Sequence, residues 1–132
     1  MDSNFLFVYG TLRRNCEGKM HPLLAESASF ICEATYQGKL YKISDYVGAV
    51  PSDDRKDRVK GELYLLKEKE SLFIRLDEYE ECKLSLGDEG EFIRTIVKVC
   101  RLDGNIIDAW IYLYNRPTSG LEIVQSGDYL TG

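Results

Sequence analysis

Apolar and polar positions along the chain follow two strand patterns and one helical pattern. Phe5 to Tyr9 is an unbroken apolar run, too short for a confident helix and rich in aromatic and β-branched residues, so it predicts a strand covered on both faces. Val59 to Leu66 alternates instead, with Val59, Gly61, Leu63 and Leu65 on one side and Lys60, Glu62 and Tyr64 on the other. Glu91 to Cys100 places Ile93, Thr95, Val97 and Val99 together, and Ile106 to Tyr114 does the same for Ile107, Ala109, Ile111 and Leu113. The Asp103-Gly104 step between these two runs predicts a hairpin turn. Ala34 to Tyr41 reads as a further strand, with Tyr36, Gly38 and Leu40 on one face, and Val47 to Pro51 as a short one. The charged loop from Ser52 to Arg58 is the candidate for mobility.

One segment repeats at helical spacing. From Lys67 to about Glu81, Leu72, Phe73, Leu76 and Tyr79 form an apolar face. Pro22 suits the first turn of a shorter helix beginning near His21. Several strands with one main helix predict an α+β domain, a curled mixed sheet or small barrel, with Phe5 to Tyr9 central. Leu63, Leu76, Val97, Ile111 and Val8 are expected to be buried together.

Composition narrows the class. At 132 residues the chain is expected to form a single domain over residues 1–132 with a core that needs no staples. Hydrophobic residues at 44% and charged residues at 30% are those of a folded globular protein rather than a disordered one. No apolar run approaches the roughly 18 residues of a membrane span, and no export-type segment opens the chain, so a cytoplasmic location and no membrane partner are expected. Seventeen basic against 22 acidic residues give a net charge of −5, which argues against nucleic acid. Arg13, Arg14 and Lys19 make a local basic group that reads as solvated loop. Cys16, Cys32, Cys82 and Cys100 contain no CxxC pair, and His21 is the only histidine, which is poor zinc spacing. The cysteines are expected to be reduced and no metal or cofactor is expected. Oligomeric state is not set by any of these features.

Two places carry candidate chemistry. Gly10 ends the first strand and allows a turn whose following N–H groups, through Thr11 and Leu12, can converge on an anion or a carbonyl oxygen. On the helix, at about 100° per residue, Glu80 falls within about 50° of the apolar face, whereas Glu78 and Glu81 point away. A carboxylate on that face is desolvated, which raises its pKa. Periodicity alone leaves two readings open: a catalytic acid/base, or a residue that curls into water at the helix end or binds a core arginine such as Arg94.

Tyr9-Gly10-Thr11-Leu12-Arg13 and Leu76-Asp77-Glu78-Tyr79-Glu80 together resemble the γ-glutamylcyclotransferase-like family, in particular its small bacterial members and its γ-glutamylamine cyclotransferase branch. His21-Pro22-Leu23-Leu24, Val59-Lys60-Gly61-Glu62-Leu63-Tyr64, Phe92-Ile93-Arg94 and Ser126-Gly127-Asp128-Tyr129 follow in the family's order, so the resemblance spans nearly the whole chain. It implies a small β-barrel with flanking helices and a cavity between the Gly10 loop and the helix bearing the glutamate. It also implies cleavage of a γ-glutamyl amide by the substrate's own α-amine, releasing 5-oxoproline. The resemblance makes Glu80 the acid/base, and Tyr9, Gly10, Thr11, Leu12 and Arg94 the substrate-binding residues.

The chain departs from the family's pattern at three places. Phe92-Ile93-Arg94 stands where Tyr-x-Arg is usual, Glu80-Glu81-Cys82 where Glu-Gly is common, and Tyr46 to Pro51 where relatives often carry Tyr-Pro. The missing hydroxyl at Phe92 keeps a non-catalytic small-metabolite-binding protein as the alternative function. A thiol enzyme using Cys16 or Cys82 with His21 is the weaker rival, since nothing in the spacing orients such a pair.

Overall fold

A computed structural model describes residues 3–10, 28–43, 47–67, 69, 72, 74 and 92–128. Among the described residues seven strands run in chain order: β1 (Phe5–Val8), β2 (Ala28–Lys42), β3 (Val47–Pro51), β4 (Arg58–Leu66), β5 (Phe92–Arg101), β6 (Ile106–Tyr114) and β7 (Glu122–Ile123). Their order is β1-β4-β2-β3-β6-β5, with β1 also pairing β6 and β2 also pairing β5. The extra pairings close the sheet on itself. One circuit runs β1-β4-β2-β3-β6 and back to β1; a second replaces β3 by β5.

The ends of the predicted strands follow from local chemistry. β3 spans the residues its pattern predicts, and so does β6. Between β5 and β6, the Gly104 N–H donates to the Arg101 carbonyl (2.9 Å), and the Asn105 N–H to Asp103 Oδ1 (3.0 Å). Gly104 has φ +91°, which a side chain would resist. The loop from Ser52 to Arg58 is knit by short contacts: Ser52 Oγ donates to Asp57 Oδ2 (2.6 Å) and the Lys56 N–H to Asp54 Oδ1 (2.9 Å).

β2 begins six residues before its predicted start, and a bulge explains why. Its pairing with β4 shifts between Phe30 and Cys32, so Ile31 is an extra residue. Ala28 and Phe30 lie opposite Leu66 and Tyr64, whereas Cys32 and Tyr36 lie opposite Leu63 and Val59. All four β2 residues are even-numbered. Without the bulge they would share a face; with it, the first pair turns outward and the second pair inward.

Two apolar clusters result. Inside the barrel Phe7, Tyr9, Ala34, Tyr36, Leu40, Ala49, Val59, Leu63, Val99, Ala109, Ile111 and Leu113 pack together, with Val97 against them. On the outer face of β1, β4 and β6 lie Leu6, Val8, Tyr64, Leu66 and Tyr112, joined by Ala28, Phe92 and Leu72. Leu63, Val97 and Ile111 therefore meet as expected. Val8 does not join them, because its neighbours Phe7 and Tyr9 take the inward positions of β1 and send it outward. Leu76 falls outside the described residues.

On the side of β4 that carries Lys60, Glu62 and Tyr64, only Lys60 is exposed. Glu62 is 3% exposed and Tyr64 fully covered, while Leu65, expected on the core side, is 38% exposed. Of the expected helix, Lys69, Leu72 and Ile74 have helical backbone and Lys67 is a bend; the remainder of that segment, and the other flanking helix near His21, lie outside the described residues. Every element with defined bounds among the described residues is a strand, so the α part of the expected α+β class rests on those three positions. No helix among the described residues is long and apolar enough to cross a membrane. Cys32 and Cys100 are free thiols; Cys16, Cys82 and His21 lie outside the described residues.

Candidate functional site

β1 and β3 share one edge of β6. Leu6 pairs with Trp110 and Ala49 with Leu113, both in parallel register, so the edge changes partner near Tyr112. Such a change leaves backbone groups without a ladder partner, and they must be met otherwise. The Tyr9 side chain meets them. Its hydroxyl donates to the Tyr112 carbonyl oxygen (2.5 Å) and accepts from the Ala49 N–H (3.1 Å). Tyr9 is thus buried and committed to the sheet. What it offers a ligand is the direction of the backbone that continues into Gly10.

Gly10 serves by close approach rather than by a left-handed backbone. A Cβ there would lie 3.3 Å from Val47 Cγ2, tighter than ordinary van der Waals contact, and its φ is not in the region that favours glycine. The start of β3 therefore presses on the end of β1 at the point where the sheet edge divides. Thr11 and Leu12 lie outside the described residues, as does Glu80.

Arg94 sits on the outer face of β5, opposite Tyr112. Its guanidinium stacks over the Trp110 ring, 5.3 Å from the centroid. Trp110 is fixed in turn by donating its indole N–H to the Ser3 carbonyl (2.8 Å), which also receives Lys69 Nζ (3.3 Å). Arg94, Trp110, Ile96, Lys98 and Asp108 border a shallow groove of about 420 Å³ on that face. Arg94 thus shares the outer face with Val8 and Tyr112, but its charge leans toward the groove. Phe92, where the family's tyrosine was expected, is 2% exposed and packs edge-on against Tyr114, with ring centroids 5.7 Å apart.

Glu62 is a buried charged residue that the sequence reading did not single out. It pairs with Val8 on β1, two residues before Gly10, and Tyr64 donates its hydroxyl to Glu62 Oε1 (2.9 Å). The available signal was Tyr64: an aromatic residue on the side of a strand opposite its aliphatic residues marks a second covered face.

The family described as gamma-glutamyl cyclotransferase, AIG2-like, matches residues 6–131. The chain is 31% identical over 128 residues to the gamma-glutamylcyclotransferase family protein YtfP of Escherichia coli K12, covering 95% of both chains. The crystal structure of YkqA from Bacillus subtilis superposes with a TM-score of 0.70 at 28% identity, over 96% of this chain and 39% of that one. An AIG2-like protein from Mus musculus has the same fold, with a TM-score of 0.64 at 21% identity over 86% of this chain and 79% of the other. With strands closing in one barrel, a divided sheet edge at Gly10 and a family match that runs from β1 past β7, the chain belongs to the γ-glutamylcyclotransferase-like family.

Proposed function

We propose that the protein is a cyclotransferase that acts on γ-glutamyl amides or amines, forming 5-oxoproline and a free amine or amino acid. The observation that carries this reading is the family match over residues 6–131, which includes both the Gly10 turn and Glu80. The position of Gly10 at the divided edge of β6 supports it, because the chain there is packed too closely for a side chain and so leaves the main chain itself as the contact surface.

The chemistry asks little of the protein. The α-amine nitrogen attacks the γ-carbonyl carbon of the same substrate, the γ-amide C–N bond breaks, and the proton lost by the amine reaches the departing nitrogen. Nucleophile and electrophile belong to one molecule, so holding a folded conformer supplies the proximity that other enzymes build from two reactants. A single group able to take a proton and return it completes the cycle, and Glu80 is assigned that role. The N–H groups of Gly10, Thr11 and Leu12 are assigned to the γ-oxygen as it gains charge, and Arg94 to the substrate's carboxylate.

A panel of γ-glutamyl amino acids, γ-glutamyl-ε-lysine and glutathione-derived peptides, assayed for 5-oxoproline, tests the reading. At least one should be converted. Glu80→Gln should then lower turnover by about 10²–10⁴-fold while leaving the fold and substrate binding in place. Wild-type rates in Glu80→Gln would remove Glu80 from the role. Absence of 5-oxoproline from every compound, with saturable binding retained, would favour the alternative of a non-catalytic binding protein, which the packed Phe92 ring supports.

A further inference from the structure

The edge of β4 that carries β1 changes partner at Lys60. Leu66 donates its N–H to the Asn4 carbonyl (2.7 Å), and the other even-numbered residues of β4 direct their main-chain groups to the same edge, since alternate residues of a strand bond to one side. Tyr64 and Glu62 lie opposite Leu6 and Val8 in that ladder. One step further, continued register would set Lys60 opposite Gly10. The Lys60 N–H donates instead to the Gly127 carbonyl (2.7 Å). Gly127 therefore holds the place on β4 that Gly10 would hold in a longer β1, and the main-chain groups of Gly10 are relieved of that pairing. β1 thus ends between two replacements: β3 succeeds it on β6, and Gly127 succeeds it on β4.

Local sequence fits the segment from β7 to Gly127 to this place. β7 anchors it on β2, where Ile123 pairs with Tyr41 and the Val124 N–H donates to the Leu40 carbonyl (2.7 Å). Val124 packs against the barrel interior. A turn follows, closed by the Gly127 N–H on the Val124 carbonyl (3.0 Å), and Ser126 Oγ accepts from the Asp128 N–H (3.2 Å). Gly127 is buried and has φ +69°, and a Cβ on it would run into the Arg58 carbonyl oxygen. Glycine alone satisfies both the left-handed backbone and the close approach.

We propose that Gly127 is the positioning residue of the Gly10 turn: by occupying β4 in place of Gly10, it leaves the Gly10 main chain to the glutamyl part of the substrate. This rests on the cyclotransferase reading and adds what keeps the turn out of the sheet. Gly127 acts through Gly10 and takes no part in the proton transfer assigned to Glu80.

The test pairs Gly127→Ala with Gly104→Ala. Both put a side chain on a left-handed backbone, but nothing among the described residues lies within 4 Å of a Cβ at Gly104. Backbone strain is common to the two variants, and the displaced contact belongs to Gly127 alone. With a γ-glutamyl amide that wild type converts, Gly127→Ala should raise KM about 10- to 100-fold and Gly104→Ala by less than about twofold. Ser126→Ala loosens the same turn while keeping its glycine; it should raise KM about two- to fivefold, which keeps the test decisive if Gly127→Ala fails to fold. A role confined to stability would lower the folded fraction, and with it the apparent kcat, at unchanged KM. Unchanged KM in every variant of this turn that folds, or an equal rise in Gly104→Ala, would overturn the assignment. The amide resonance of Gly10 gives a readout free of turnover: it should move in Gly127→Ala and Ser126→Ala and stay in Gly104→Ala. If wild type converts no γ-glutamyl compound, the cyclotransferase reading fails on that result alone. A Gly10 resonance that moves then keeps Gly127 as the residue that positions the turn, and one that stays ends this proposal too.

Discussion

The barrel interior and the outer face of β1, β4 and β6 are both buried, yet they are built for different purposes. The interior is filled by aliphatic and small side chains together with Phe7, and its two tyrosines, Tyr9 and Tyr36, are buried with them. The outer face mixes Leu6, Val8 and Leu66 with Tyr64 and Tyr112, and Glu62 and Arg94 share it. Dense apolar packing serves stability, whereas a covered face that retains charge gives up part of that gain to desolvation. The interior is uniformly covered, whereas the outer face keeps charged groups beside its apolar ones.

Substitutions can break this contrast. The largest stability effect is expected inside: Leu63→Ala, at a fully buried position, should cost about 2–5 kcal/mol through the cavity it leaves, measured by denaturant unfolding. Activity per folded molecule should persist. If it falls as steeply as stability, the interior is part of the site and the contrast is lost.

Tyr9→Phe comes next and probes the junction of the two regions. Removing the hydroxyl takes one hydrogen bond from the Ala49 N–H and one from the Tyr112 carbonyl, at a cost of about 1–3 kcal/mol. Because the junction also sets the path of Gly10, substrate binding should weaken with stability. An unchanged unfolding midpoint would show that the divided edge is held by other contacts.

The smallest effect is confined to alkaline solution. Burial raises the pKa of Tyr36 above its ordinary 10.0. As pH climbs past about 10, the phenol ionises in the unfolded chain while the folded one still holds its proton, so the unfolded state gains and stability falls. Tyr36→Phe should therefore flatten the loss of stability above about pH 10 and leave the neutral range nearly unaltered. Parallel alkaline curves for the two proteins would remove Tyr36 as a cause.

How far the fold could be read in advance depended on how many faces of a strand are covered. β6 is alternating and bounded by Asp103-Gly104, and its limits were legible to the residue. The first third of β2 was not, because the extra Ile31 breaks the alternation that identifies a strand. β7, two residues long, carries no pattern. At the site, Gly10 was legible as a special position but for the wrong physical reason, since what it provides is room beside Val47. The burial of Glu62 was not legible because local alternation records which residues share a side and not what covers that side.

The bulge at Ile31 gives β2 something like a reading frame. Upstream of it even-numbered residues serve the outer cluster, downstream they serve the interior, and the two assignments hold only while one surplus residue separates them. Loss of a single residue there would force Ala28 and Phe30 inward or Cys32, Ala34 and Tyr36 outward. Length changes at the Asp103-Gly104 turn reverse no such assignment. Variation in length among descendants of this chain should therefore be tolerated at that turn and excluded from residues 30–32, however freely the side chains themselves are exchanged.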